Sequence, residues 1–440
     1  MTIYVEDKPR TRVKVFAAGK ENIDMAKDIA EMYEAALGKN GIRKEGCEPY
    51  PDGDLFSEAG VKSTLEAGER TLAIAQILDE KAEPEKTVSG AMVMDRLSPH
   101  HVEFNSMAVR LNKRGQKIGS RLVEGLRDIV EDSDFTVNAT ELVTHSLASQ
   151  AAHFRAGYKN YCGFGYCHYP RVFFAQHPES VLWVVRLQGR LVPRMRLFRS
   201  KLGRKLGQDN ETTVRRLIDV QTSLMTQASY LRLSEKQLEI CADVLSEREV
   251  YIPACYGHIV ESILFQFEDI LDRAIVLPKA NQEQTESGEE SNENAHKPGH
   301  APELDLKGDY GHSYVIYGAD FQFDQGELDK ILDEIHAHPA GKRFILVRIP
   351  AQARDCAKTA EYLRSKGFIF HSYLPLYGFF PEAKAQFQDI LTLQWVAPHI
   401  VSENALPGET ESLIKLYGYP ENLSGQILST IKSELRETAK

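Results

Sequence analysis

The sequence predicts an α/β fold of mixed sheets, arranged as two related units with a helical segment between them. Three observations carry this expectation. Apolar runs of strand length alternate with amphipathic stretches of helix length over residues 11–187. Residues 280–307 are rich in Glu, Asn, Gln and Ser and almost free of large apolar side chains. Such a stretch cannot offset its ordering entropy by burial and reads as a flexible acidic linker. The order of elements before this linker recurs, in outline, after it.

Each element follows from its own pattern. TRVKVFAA (11–18) is a short strand, and NIDMAKDIAEMYEAALG (22–38) is a helix closed by Gly38. RTLAIAQIL (70–78), TVSGAMVMDRL (87–97) and HVEFNSMAVRL (101–111) are strands, with Ser98-Pro99 turning the hairpin between the last two. Beyond LNKRGQKIG the apolar spacing becomes helical: Ile118, Leu122, Leu126, Ile129 and Val130 share a face of a helix ending near Asp132 and Ser133. FTVNATELVT (135–144) is the next strand. The short helix SLASQAAHFRAG and two more strands complete the first unit.

After the linker the second half of that pattern returns. RFILVRIP (343–350) leads to ARDCAKTAEYLRSKGF (353–368), IFHSYLPLYGFF and DILTLQWV (389–396), matching FTVNATELVT, SLASQAAHFRAGY, NYCGFGYCHYPRVFF and SVLWVVRL (180–187). The two tryptophans, Trp183 and Trp395, fall 26 and 28 residues after Gly157 and Gly367. The expected units are therefore 1–188, a helical connecting segment at 189–279, the linker at 280–307 and a second unit at 308–440.

Composition bounds the class. A chain of 440 residues is long enough for two or three domains with cores that need no staples. With 53 Lys+Arg against 63 Asp+Glu the net charge is −10, which argues against a nucleic-acid coat, and no nucleic-acid partner is expected. The linker alone holds seven acids and two lysines. Six cysteines are too sparse for a disulfide framework, the first residues lack a signal-peptide core, and no apolar run reaches the ~20 residues of a membrane span. A cytoplasmic, multidomain protein is expected, and no oligomeric state is assigned. Cys162, Cys167 and His168 cluster without a second ligand pair at zinc spacing, so no metal is expected. Cys255 and His258 share a helical face if that segment is helical, but adjacency alone does not make a nucleophile.

One stretch carries chemistry. In Met107-Ala108-Val109-Arg110-Leu111-Asn112-Lys113-Arg114-Gly115-Gln116-Lys117-Ile118-Gly119-Ser120, a strand runs into a basic, glycine-containing turn that opens a helix. Outward N–H groups and partial positive charge at a helix start suit a pyrophosphate, and Gly119 permits close approach. A plain basic turn with a capping glycine has the same pattern.

These residues resemble the GNAT acetyltransferase superfamily, whose turn reads Arg/Gln-x-x-Gly-x-Gly/Ala. Arg114 matches its first position and Gly119 its last, while Lys117 stands where the family has its middle glycine. A left-handed conformation is disfavoured for a lysine. The resemblance covers 11–187 in element order and implies acetyl-CoA, or another acyl-CoA, as co-substrate. Met107, Ala108 and Val109 would receive its pantetheine arm, and Arg114, Gly115, Gln116, Lys117, Gly119 and Ser120 its pyrophosphate. The second unit, preceded by DFQFDQGELDKILDEI, has no such turn and resembles a degenerate copy without a CoA site.

The resemblance also implies catalytic roles. Glu103, six residues before Val109, is expected to share its strand face and to serve as general base, with Asn105 beside it. The family's tyrosine acid, four residues before the closing Gly-Phe, is replaced here by His153, whose imidazolium could donate the proton. Ser149, one turn earlier, could contact the thiol instead. The matching residue of the second unit, Leu363, cannot donate. Gly367-Phe368, Leu374-Pro375 and Asp389-Ile-Leu391-Thr-Leu393-Gln394-Trp395 resemble the distal half of some bacterial family members.

The implied function is N-acyl transfer to a primary amine of a small molecule or protein. The alternative is a CoA-binding or protein-binding regulatory module without turnover. The basic run 184–207, with eight Arg/Lys and no acid, is a solvated connector, a patch for CoA phosphates or an acidic substrate, or a contact for RNA or anionic lipid.

Overall fold

The computed structural model describes residues 12–38, 50, 52–78, 87–131, 137–143, 146–167, 179–187, 248–267, 274–277, 302–305, 312–337, 344–383, 386–397 and 421–438. The first unit runs β1 (Val13–Ala18), α1 (Ala26–Leu37), α2 (Glu58–Ala67), β2 (Arg70–Ile77), β3 (Gly90–Ser98), β4 (His101–Val109), α3 (Ile118–Glu131), β5 (Val137–Val143), α4 (Leu147–Arg155), β6 (Tyr161–Cys167) and β7 (Glu179–Leu187). The expected helix at 22–38 is a 3-10 turn over Lys20–Met25 followed by α1, closed by Gly38, whose N–H donates to the Glu34 carbonyl at 3.0 Å. Pro99 and His100 turn the β3–β4 hairpin.

Next come β8 (Arg248–Tyr251), α5 (Gly257–Phe265) and β9 (Ala274–Leu277), then β10 (Glu303–Asp305), β11 (His312–Ile316), α6 (Gln325–Ala337), β12 (Phe344–Pro350), α7 (Cys356–Ser365), β13 (Ile369–Phe379), β14 (Phe387–Val396) and α8 (Glu421–Thr438). Two expectations are corrected here. The connecting segment is not simply helical, because β8 and β9, rich in β-branched residues, pair in parallel. The linker also ends earlier than its composition implies: Glu303–Asp305 pairs antiparallel with β11, and Leu304 packs against the core. Sheet pairing gives this acidic stretch the partner its composition lacks. Residues 188–247 and 280–301, with most of the basic run and the linker, lie outside the described residues. Arg186 is described, and it reaches the Ala156 carbonyl at 3.2 Å and the face of Tyr158.

Among the described residues twelve strands form one sheet, in the order β1-β2-β3-β4-β5-β7-β6-β13-β14-β12-β11-β10. Pairing senses repeat across its middle. β3–β4 is antiparallel, β4–β5 parallel, and β5–β7 and β7–β6 antiparallel. β10–β11 is antiparallel, β11–β12 parallel, and β12–β14 and β14–β13 antiparallel. The seam is β6 against β13, paired at Gly163 and Ser372. A Cβ on Gly163 would lie 2.4 Å from the His371 carbonyl and from Ser372 Cβ, so only glycine admits the neighbouring backbone. Two glutamines extend the seam. Gln266 bonds both the N–H and C=O of Tyr161, and Gln394 does the same for Tyr166.

The sheet curls strongly. In a flat sheet β4 and β13 would stand four spacings apart, about 19 Å. Yet the rings of His101 and Tyr377 stack at 6.2 Å, and His100 meets Phe379 at 5.0 Å. A kink in β13 contributes to this approach. Leu376 is left-handed at φ 56°, and the buried Asp389 carboxylate holds the kink, accepting from Leu376 N at 3.0 Å and from Tyr373 Oη. Of the face its spacing predicts, α3 buries Ile118, Leu122, Leu126 and Val130 and half-buries Ile129, and it buries Val123 as well, against β1–β3.

Candidate active site

The site starts with an irregularity in β4. Ser106 has φ 48°, and pairing with β3 slips between Ala91 opposite Ala108 and Val93 opposite Asn105. One extra residue is therefore inserted, a β-bulge. It corrects the expectation that Glu103 and Val109 share a face, because the bulge shifts the period of two and puts them on opposite faces. Glu103 shares its face with Asn105 and Ala108 instead. The bulge is held from outside the strand: Tyr33 Oη donates to Ser106 O at 2.9 Å, and Ser106 Oγ donates to Asp52. Arg70 in turn bridges Asp52, at 2.8 and 3.0 Å, to Asp95, which also accepts from Asn105 at 2.6 Å.

Just before the bulge β4 parts from β5. Their parallel ladder covers only His101–Glu103 opposite Val137–Ala139. At the next position Thr140 Oγ1 donates to the Phe104 carbonyl at 2.9 Å, a side chain taking the place of a main-chain partner. Beyond it the strands diverge, and a cavity of about 380 Å³ opens between them, α3 and α4.

The turn before α3 supplies one wall. Gly115 is left-handed at φ 81°, and so is Lys117, at φ 63°. The residue in the middle-glycine position has thus taken the glycine conformation, at a cost of about 1–2 kcal/mol. The first helical N–H to find an intrahelical partner is that of Arg121, bonded to Lys117 O at 3.1 Å. The preceding amides face outward as a helix start requires. A Cβ on Gly119 would meet Met107 Sδ at 3.3 Å, across the cavity wall.

Of the residues singled out from the sequence, Glu103, Met107, Ala108, Val109, Arg114, Gly115, Lys117, Gly119, Ser120, Ser149 and His153 all line this one cavity. Gln116 does not. The sequence reading missed Thr140 and Glu141 on β5 and the Asp52–Arg70–Asp95 bridge. Glu141 carries a legible signal, a lone charge in the apolar run FTVNATELVT.

His153 requires a further correction. It is 2% exposed, and burial pushes its pKa down to about 4. The ring is therefore neutral near pH 7. Its Nδ1 lies 2.9 Å from the Ser149 carbonyl, an acceptor only, so Nδ1 carries the proton. Nε2, which has no partner within the structure, is left a lone pair. The expected proton donor is an acceptor, and Ser149 is the remaining hydroxyl at this position on α4.

The corresponding place in the second unit is built differently. β11 pairs with β12 along its whole length, His312–Ile316 opposite Phe344–Arg348. Before α6, Phe321 packs on Tyr317 at 4.4 Å and Phe323 on Tyr362 at 5.4 Å. Asp324 accepts from Glu327 N at 2.9 Å, so the helix start is satisfied by its own chain. Leu363 is buried.

No group of three or more potential metal ligands occurs among the described residues. Cys162 is buried and its thiol pushed up by burial, while His168 and the Cys167 side chain lie outside the described residues. Cys255 is exposed on a 3-10 turn, with its pKa raised chiefly by desolvation, against nucleophilic use. No helix among the described residues is long and apolar enough to cross a membrane.

No family model and no curated protein matches the chain. Solved structures similar to part of it are N-acetyltransferases. A GNAT-superfamily phosphinothricin acetyltransferase from Sinorhizobium meliloti, in complex with AcCoA, is 18% identical over 41% of this chain and 90% of its own, with a TM-score of 0.30. A ribosomal-protein-alanine N-acetyltransferase from Brucella melitensis is 19% identical over 40% of this chain and 99% of its own, with a TM-score of 0.31. A ribosomal-protein-S5-alanine acetyltransferase from Vibrio fischeri is 13% identical over 41% and 95%, with a TM-score of 0.30.

Proposed function

We propose that this cavity takes an acyl-CoA and that the protein transfers its acyl group to a primary amine. One observation carries the reading: a parallel strand pair parts at a bulge, directly beside a helix start whose amides and basic side chains face the gap. The parted strand offers main-chain groups to an extended, amide-bearing arm. The turn at Arg114–Ser120 suits a pyrophosphate. Gly119 keeps the wall free of a Cβ, and the orphaned Nε2 of His153 asks for a donor from a ligand. These features fit the GNAT resemblance.

When bound, an acyl-CoA supplies an activated thioester and a thiolate leaving group. The protein's part is to orient and to move protons. Glu103, at the inner end of the gap, accepts a proton from the acceptor amine, directly or through water. The Ser149 hydroxyl donates a hydrogen bond toward the sulfur. His153 holds an N–H or S–H by its lone pair.

The test uses the full chain with acetyl-CoA and a pooled library of primary amines. Free thiol should appear with an amine present, and Glu103→Gln should lower turnover by about 10²–10⁴-fold while calorimetric acetyl-CoA binding stays unchanged. A second reading, a CoA-binding regulator without turnover, is favoured by the absence of a proton on His153 Nε2. Tight acetyl-CoA binding with no thiol release from any amine would select it. No binding at all would overturn both.

A further inference from the structure

The two units meet around Glu103 and Glu141. Pairing and strand period put His101, Glu103, Glu141 and Trp183 on one face of the sheet, because Glu103 pairs with Ala139 and Glu141 with Trp183. Asp95, bridged to Arg70, belongs to the same face. The curl of the sheet brings Tyr377 of β13 onto that face, 6.2 Å from the His101 ring and 6.0 Å from Trp183. Arg348 of β12 lies 5.5 Å from the Tyr377 ring centre and 4.7 Å from that of Tyr314 on β11, so two aromatic faces hold its guanidinium in place. Through the Tyr377 ring, which stacks on His101 two residues from Glu103, its guanidinium lies on the side of the sheet that carries Glu103 and Glu141, within electrostatic reach of both. In a flat sheet Arg348 and Glu103 would stand six strand spacings apart, about 29 Å. The curl creates the encounter.

In the apolar run FILVRIP, Arg348 is the lone charge, as Glu141 is in the corresponding run of the first unit. A buried strand carries a charge only where another charge meets it.

We propose that Arg348 is a positioning residue for the acceptor end of the cavity: held between Tyr314 and Tyr377 on the side that carries Glu103 and Glu141, its fixed charge keeps those carboxylates ionised where the acceptor amine gives up its proton. The inference rests on the acyl-transfer reading and gives the second unit, closed at its own strand junction, a part in the reaction. Acyl-CoA would bind to the first unit alone, and proton removal would need both. Arg348 does not line the cavity, whereas Glu103 and Glu141 do; it acts through the two carboxylates.

Two readouts on the full chain test it. In protein labelled with ¹³C at the glutamate carboxyls, assigned by Glu103→Gln and Glu141→Gln, Arg348→Met should raise the titration midpoint of at least one of the two by about one pH unit, as loss of a nearby opposite charge requires. Arg348→Lys should restore most of the shift. In turnover of acetyl-CoA with a primary amine, the acid limb of kcat/KM should move the same way in Arg348→Met, with the KM for acetyl-CoA unchanged. Where Arg348→Met does not fold, Tyr377→Phe, which keeps the ring that holds Arg348 and removes only its hydroxyl, should give a smaller shift of the same sign. Carboxyl midpoints that stay in place in the folded variant overturn the proposal. Midpoints that move in a protein without turnover overturn the acyl-transfer reading and leave Arg348 the electrostatic partner of the two glutamates.

Discussion

Two strand pairs in this molecule start alike and end differently. β4 and β5 in the first unit, and β11 and β12 in the second, are the parallel pairs of their half-sheets, each joined by a helix. In the first, a bulge at Ser106 and the Thr140 hydroxyl on Phe104 O end the ladder after Glu103. In the second, pairing continues to Ile316, and Phe321, Phe323 and Asp324 fill the turn and cap the helix. A cleft between two strands therefore depends on main-chain groups being left without a sheet partner beside a helix start. The closed pair shows what the same topology does without those two departures, which is to pack. It also places Arg348 and Tyr377 against the open pair.

The comparison can be broken at the helix start. Gly119→Asp puts a carboxylate among the amides of the open turn and should weaken acetyl-CoA binding by about three orders of magnitude. Two lost charge-assisted hydrogen bonds of about 2 kcal/mol each account for that factor. The same calorimetry on Gly326→Ala, at the start of the capped helix, should show no change.

A smaller effect separates His153 from its counterpart Leu363. The pKa of His153 falls from 6.5 in the unfolded chain to about 4 in the fold. Between these values the unfolded state binds the extra proton, so stability rises with pH across that window and is lost as pH falls from 6.5 toward 4. The loss approaches about 3 kcal/mol at the acid end. His153→Leu, which copies the second unit, should flatten that part of the urea-derived stability profile. A slope unchanged from wild type would show that His153 is not held neutral.

Smallest is the strain at Lys117. Lys117→Gly should raise stability by about 1 kcal/mol, because a left-handed residue loses its Cβ clash, and should keep or tighten acetyl-CoA binding. Denaturant midpoints check the first and calorimetry the second. Destabilisation would mean that the lysine side chain contributes more than its conformation costs.

Much of the site was readable in advance because its signals are local. The strand–basic turn–helix transition at 107–122 is a change from period two to period 3.6 with glycines at the joint, and of the candidate residues there and at 103, 105, 149 and 153 all but Gln116 line the cavity. The parity that would put Glu103 and Val109 on one face fails at the bulge at Ser106. Nothing in HVEFNSMAVRL marks that bulge, since its supports, Tyr33, Asp52 and Arg70, lie far along the chain. The protonation of His153 was equally out of reach, because it depends on burial between α4 and the strands beneath it.

The sequence by itself determined most of the elements over 13–187 and 344–396 and the position of the basic turn between a strand and a helix. Each of these is written in spacing and composition along a short window. The tertiary structure decided which faces residues occupy, which strand pair opens and which closes, and that Tyr377 and Arg348 come to lie on the side of Glu103 and Glu141. Those depend on bulge, curl and burial, which arise from contacts between residues tens to hundreds of positions apart, where local periodicity carries no information.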